Sequence, residues 1–390
     1  MKKLVYADNA GTTPVSKTAL DAMLPWLTDG FGNPSGVYSV GREAKRGLES
    51  ARQTIAACLN AEAEEIFFTG CGTESDNWAL RGALEKNLKQ GRHIITSAIE
   101  HHAVTHTCEH LARTMGAEIT YLPVDRLGRV SPDDLRAALR PDTILVSIML
   151  ANNEIGTIEP IAELASIAHE KGVWFHTDAV QAVGHIPVDV KALGVDMLSL
   201  SAHKFGGPKG VGALYVRKGI ALPPFLTGGG QERGRRSGTE NVAGVCGMAA
   251  ALKESTDNLE RDMTYVSGLR DRLIEGLTKL PYSALTGDPV NRLPGTASFV
   301  FECVEGESMI LSLDNAGICA SSGSACSSGS LDPSHVLMAI GLPHEVAHGS
   351  VRLTLSAHNT PEDVAYILEK LPEIITRLRA MSPLWEEKNK

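Results

Sequence analysis

Residues 143–150 read TILVSIML, and this run constrains the fold more than any other. A strand with water on one face alternates apolar and polar side chains, whereas a near-continuous apolar run fits a strand covered on both faces. The flanking sequence supports that reading, because short strand-like runs alternate with helical spacing. Strands are expected at 4–7, 66–68, 93–97, 118–122, 173–177, 197–200 and 211–216. Helices are expected at 14–27, 41–59, 78–89, from about 100, from Ser131 with Pro132 at its first position, and at 161–171 with Gly172 closing it. Farther along, 258–280 has helical spacing, and 296–301 and 318–320 read as strands. Such alternation predicts an α/β chain built on a parallel sheet.

Bulk properties narrow the function. The chain has 390 residues, enough for two or three domains, and 43% hydrophobic with 21% charged residues fits a globular protein. A net charge of −9 with no basic stripe argues against a nucleic-acid partner. No apolar run reaches a membrane span, and the first residues, MKKLVYAD, have no apolar signal region. The seven cysteines are scattered without CxxC spacing, which fits a reducing cytoplasm better than a disulfide framework or a zinc ribbon.

Four places carry chemistry. Residues 197–216, MLSLSAHKFGGPKGVGALYV, put Ser201, His203 and Lys204 at the end of a strand and before a glycine-rich turn. A lysine there is either a solvated hairpin side chain or an amine desolvated into a nucleophile toward carbonyls. Thr69-Gly70-Cys71-Gly72-Thr73 lies between a strand and a helix. Its free N–H groups suit an anion, although Thr73 or Ser75 could equally serve as an ordinary N-cap. His101 follows one strand end and Asn153 another, and Asp178 closes 173–177 with Gln181 just beyond. Such ends are where α/β sheets place ligands. Finally, Cys326 sits in SSGSACSSGS, where small residues suit an accessible thiol or a plain linker. His102, His106 and His110 share a helical face, but no further ligand at tight spacing completes a metal site. An amine, a carboxylate one strand away and an anion cradle together meet the requirements of pyridoxal 5'-phosphate (PLP): a Schiff base, a pyridinium partner and a phosphate site.

SLSAHKFGGPKGVGALYV, TGCGTESDNWAL, EHHAV, NNEIG, TDAVQAVG and GGGQERGRRSGTEN resemble the motifs of NifS/IscS-type cysteine desulfurases, within the class V aminotransferase family. The resemblance runs from near Tyr6 to about Trp385. It implies a fold-type I PLP enzyme: a large domain at 14–258 with a mostly parallel seven-stranded sheet between helices. A smaller α+β domain, from 1–13 and 259–390, would carry the cysteine loop at about 320–331. It further implies a residue-by-residue site. Lys204 would hold PLP, Asp178 its ring nitrogen, and His101 would stack on the ring. Asn153 and Gln181 would bond near its 3'-hydroxyl. Gly72, Thr73, Ser201 and His203 would hold the phosphate, joined by Thr239 from the neighbouring subunit of a homodimer. Asn33 and Arg352 would bind the substrate carboxylate.

The implied reaction converts L-cysteine to L-alanine. Lys204 removes the Cα proton, and Cys326 takes the sulfur as a persulfide for an acceptor such as an Fe–S scaffold. Selenocysteine turnover, another PLP reaction on the same fold, and a non-catalytic sulfur or metal carrier are the alternatives. Cys71-Gly72 departs from the Gly-Ala common in the family, Gly11 stands where alanine is usual, and Ala202 replaces a glycine.

Overall fold

The computed structural model describes residues 4–322 and 333–388. Twelve strands follow in chain order: β1 Val5–Tyr6, β2 Ile66–Thr69, β3 His93–Ser97, β4 Glu118–Leu122, β5 Thr143–Ser147, β6 Trp174–Asp178, β7 Met197–Ser201, β8 Gly212–Val216, β9 Ser283–Leu285, β10 Thr296–Phe301, β11 Ile318–Cys319 and β12 Ser350–Thr354. Seven form one sheet in the order β2-β8-β7-β6-β5-β3-β4. Only β8 runs antiparallel within it.

The sheet is buried on both faces, as residues 143–150 require. Ile95, Val146, Phe175, Leu198 and Ala213 enter one apolar cluster with the helices Ser39–Cys58, Ile161–His169 and Val242–Asp257. Their neighbours Ile94, Leu145, Trp174, Met197 and Leu214 enter another with Gly72–Asn87 and His102–Met115. Adjacent residues of one strand thus serve opposite clusters, and both sides are apolar. The strand itself ends at Ser147, short of Leu150. The extension stays paired, with Ile148 N donating to His176 O and Leu150 N to Asp178 O.

Chain order places the ligand crevice. β3 is followed outward by β4, whereas β5 lies on the other side of β3 and is followed by β6 and β7. The sequence of strands therefore reverses direction between β3 and β5. In open α/β sheets, ligands bind outside the carboxyl ends at such a reversal.

A separate apolar cluster gathers Val5, Ala7, Leu269, Phe299, Phe301, Leu313, Val351 and Ile367. It is built on β10, antiparallel to both β12 and β9, and on the helices Leu259–Thr278, Gly306–Asn315 and Pro361–Ala380. β1 pairs in parallel with β11. The first described residues are thereby stitched to the last third of the chain, before residues 8–13 cross to the sheet ends.

Candidate active site

Four strand ends converge. β6 ends in Asp178, β7 in Ser201 followed by His203 and Lys204, β5 leads to Asn153, and β3 to His101. With Gly72, Thr73, Gln181 and Arg352 they line one cavity of 260 Å³.

The glycine segment closes one side of it. The expected helix from 78 in fact begins six residues earlier, at Gly72, so most of the expected loop is first-turn helix. Its N-cap is Cys71, which makes no side-chain cap bond, and neither Thr73 nor Ser75 takes that place. Ser75 instead bonds Thr69 (Oγ to Oγ1, 2.8 Å). First-turn N–H groups without a side-chain cap, at the positive end of the helix, form an anion site. Glycine is needed here for space, because a Cβ on Gly72 would come within 2.6 Å of Val180 Cγ2. Arg236 Nε donates to Glu74 Oε1 at 2.7 Å, anchoring the segment that carries Thr239 beside this turn.

Lys204 is no solvated hairpin lysine, although β7 and β8 are antiparallel neighbours. It is half-buried, and Nζ donates to the carbonyls of Ala10 (2.6 Å) and Gly11 (2.8 Å). Gln181 Nε2 also donates to Ala10 O, at 2.9 Å. Thr13 N donates to His203 O at 2.9 Å, and His203 Nδ1 lies 3.1 Å from Thr12 Oγ1.

Asp178 is buried, and Oδ1 accepts from Val180 N at 2.9 Å. Burial raises its pKa, opposed by that N–H and by the charge of Lys204. A cation facing the carboxylate would relieve this penalty. His101 caps the helix His102–Met115, its Nδ1 accepting from Ala103 N at 3.1 Å. Burial, then the charge of Lys204, lowers its pKa to about 4. The imidazole is therefore neutral at pH 7 and carries its proton on Nε2. His203 is lowered to about 4 for the same reasons, in the same order.

Arg352, on β12, is buried; Nη1 donates to Asn153 O at 2.7 Å and Nη2 to Asp8 Oδ1 at 2.8 Å. Asn33 and Thr239 do not reach the cavity of the single chain. Both are exposed, and Asn33 Oδ1 accepts from Ser35 N of its own turn. Cys326 lies outside the described residues. His102 stacks on His106 with ring centroids 4.7 Å apart; among the described residues no group of three His, Cys, Asp or Glu is disposed to hold a metal ion.

The cavity also contains groups that sequence reasoning passed over. Asp76 lines it beside Asp178, with Oδ1 3.6 Å from His176 Nε2. Burial, then the charge of Asp178, raises its pKa well above its ordinary value. His176 in turn contacts Ser147 Oγ (2.8 Å) and Ser199 Oγ (3.0 Å) under the sheet end. The available signal was the helical period: Asp76 follows Gly72 by four residues, on one face. Ala10 and Gly11 contribute main-chain carbonyls, for which no side-chain signal exists.

These residues fit PLP. An amine is held inside the cavity, a buried carboxylate stands at the neighbouring strand end, and a helix start with no room for a Cβ at Gly72 closes one side. The profile of the class V aminotransferases (Aminotransferase class-V) matches residues 5–367. The chain belongs to the class V aminotransferase family.

Among class V relatives, a protein named cysteine desulfurase IscS from Methanosarcina thermophila is 56% identical over 98% of this chain and 94% of its own length. One of the same name from Clostridium botulinum is 52% identical over 100% and 99%. A solved structure titled NIFS-like protein superposes with a TM-score of 0.91, at 40% identity, covering 97% of this chain and 100% of that one. The seven-stranded, mostly parallel sheet is thus the fold of a NifS-like class V enzyme.

Proposed function

We propose that this chain is a PLP-dependent cysteine desulfurase, which converts L-cysteine to L-alanine and passes the sulfur on as a persulfide. The observation that carries the reading is the convergence of Lys204, Asp178 and the uncapped turn at Gly72 on one cavity. Full-length relatives named cysteine desulfurase support the substrate.

Lys204 would hold the cofactor, Asp178 would keep its ring nitrogen protonated, and His101 would face the ring. Asn153 and Gln181 would serve its 3'-oxygen. The N–H groups of Gly72 and Thr73, with Ser201 and His203, would hold the phosphate. When bound, PLP supplies an electrophilic carbon for the substrate amine and a sink for the electron pair left at Cα. Lys204 Nζ then moves the proton at Cα. The carbonyls of Ala10 and Gly11, which accept from Nζ here, lie where they can receive the amine whenever it is free. Arg352 and Asn33 orient the substrate carboxylate. The thiolate of Cys326 forms an S–S bond to the substrate sulfur as the Cβ–S bond breaks; the pair of that bond goes to Cβ, which takes up a proton, a proton is returned to Cα, and alanine leaves.

Thr239 serves the phosphate of a second copy, which makes the enzyme a homodimer; its exposure within one chain and its anchored segment support this. The chain divides into a large domain at 14–258 and a small one from 1–13 and 259–390. The separate clusters around β6 and β10 support that division. We place the enzyme in the cytoplasm, supplying Fe–S assembly or another thiolation. Among the described residues no helix is long and apolar enough to cross a membrane.

The test is release of sulfide and alanine from L-cysteine with a reductant, alongside an absorption spectrum. Wild type is expected to be yellow and to release both products; Cys326→Ala is expected to keep the colour and lose turnover. Turnover by Cys326→Ala at the wild-type rate would remove the loop thiol from the mechanism.

A further inference from the structure

Arg352 is already engaged. Its side chain is 6% exposed and, among the described residues, its ion-pair partner is Asp8, which is 27% exposed. The guanidinium presents Nε–H and one Nη2–H side by side, the pair that grips a carboxylate in two parallel bonds. Asp8 uses only half of that edge. Oδ1 accepts from Nη2, while Nε is buried with no hydrogen-bond partner among the described residues. A buried donor left unmade is costly, so an incoming carboxylate that takes both positions improves on the resident one. Two carboxylates on one guanidinium repel each other, and Asp8 is the more exposed partner.

Gly11 sets where Asp8 rests. A Cβ on residue 11 would lie 2.5 Å from Asp8 Oδ2, so the carboxylate occupies the space a side chain would take. The main chain here does not depend on the Asp8 side chain. Asn9 Nδ2 donates to Thr354 O, Ala10 N to Thr354 Oγ1, and Gly11 N to Asp8 O.

We propose that Asp8 is a resident carboxylate that holds Arg352 in the absence of substrate and is displaced by the α-carboxylate of the amino acid, so that Asp8 and Gly11 set substrate affinity. This rests on the reading of Arg352 as the carboxylate-binding residue. It adds a competitor within the chain, two residues before the carbonyls that hold Lys204.

The experiment is calorimetric binding of L-alanine, the product, and of L-alaninamide, which lacks the carboxylate, to the PLP-loaded protein. Asp8→Asn keeps the shape and removes the charge. It is expected to bind L-alanine about fivefold tighter, the scale of a partly exposed ion pair, with L-alaninamide unchanged. Gly11→Ala keeps the charge but pushes the carboxylate away, and is expected to act in the same direction by about twofold. Unchanged or weaker L-alanine binding in both variants would overturn the proposal, as would equal tightening of the amide. Arg352→Gln tests the underlying reading separately. It should erase the preference for L-alanine over its amide; if the preference survives, Arg352 is not the carboxylate site and the competition falls with it.

Discussion

The two sides of the cavity are held in different ways. Asp178, Ser201 and Lys204 stand on or just past the ends of β6 and β7, neighbours in a sheet buried on both faces. The opposite wall comes from Ala10, Gly11 and Arg352, segments more than 300 residues apart in sequence that meet through the pairing of Asp8 with Thr354. The sheet side positions charge by fixed strand geometry, and each group sits where covalent connection to a core strand puts it. On the segment side Arg352 stands on the buried strand β12, while residues 8–11 reach it through hydrogen bonds and the Asp8 ion pair. Strand-end groups suit chemistry that needs a fixed ring, while the wall closed by an ion pair suits the partner that comes and goes.

If this contrast is right, changes on the sheet side cost turnover or cofactor binding, and changes on the segment side alter substrate affinity. The largest expected effect is on the sheet side. Asp178→Asn removes the carboxylate proposed to face the ring nitrogen, and kcat for alanine formation should fall by about a hundredfold or more. A loss below tenfold would show that the strand-end carboxylate is not essential.

Gly72→Ala comes next. Its Cβ meets Val180 within 2.6 Å, so the turn must shift, and PLP affinity measured by reconstitution of the apoenzyme should fall about tenfold. Unchanged affinity would move the phosphate site elsewhere.

Glu100 sharpens the comparison through stability. It is buried beneath the sheet end, where Oε1 accepts from Ser97 Oγ (2.5 Å) and Met149 N (3.0 Å) and Oε2 has no hydrogen-bond partner among the described residues. Burial raises its pKa to about 8. The folded state therefore holds a proton that the unfolded chain releases at its ordinary pKa of 4.5. That contribution is complete below 4.5 and is lost as pH rises toward 8. Wild-type Tm should fall relative to Glu100→Gln between pH 5 and pH 9, by a few degrees for a chain of this size. Parallel Tm profiles would show that Glu100 is not protonated in the fold.

The smallest effect is expected where the described chain resumes after residue 332. Ser334 caps the helix His335–Ala339, accepting from Val336 N and Leu337 N, and its hydroxyl donates to buried Glu154. Ser334→Ala should cost about 1–2 kcal/mol in urea unfolding, the usual worth of a cap plus one buried bond. KM for L-cysteine should stay within about twofold, because no atom of the cavity changes.

Much of the sheet side was legible in the chain. Residues 143–150, the strand-end acids and the lysine before its glycine turn state the α/β class and most of the cavity, because strand ends and helix starts are local patterns. The segment side was far less so. Arg352 could be nominated from its motif, but its contacts with Asn153 and Asp8 bridge 199 and 344 residues. Asp76 reads as a loop residue ahead of the helix until the helix start is moved to Gly72.

The sequence by itself therefore determined the order of strands and helices, and with it which side chains stand at carboxyl ends, since side-chain period and caps are local. Only the tertiary structure decided that the carbonyls of Ala10 and Gly11 hold Lys204, that Asp8 occupies half of the Arg352 fork, and that Asp76 is buried against Asp178. Those contacts depend on how distant segments close around the sheet, and on burial raising or lowering the cost of a charge.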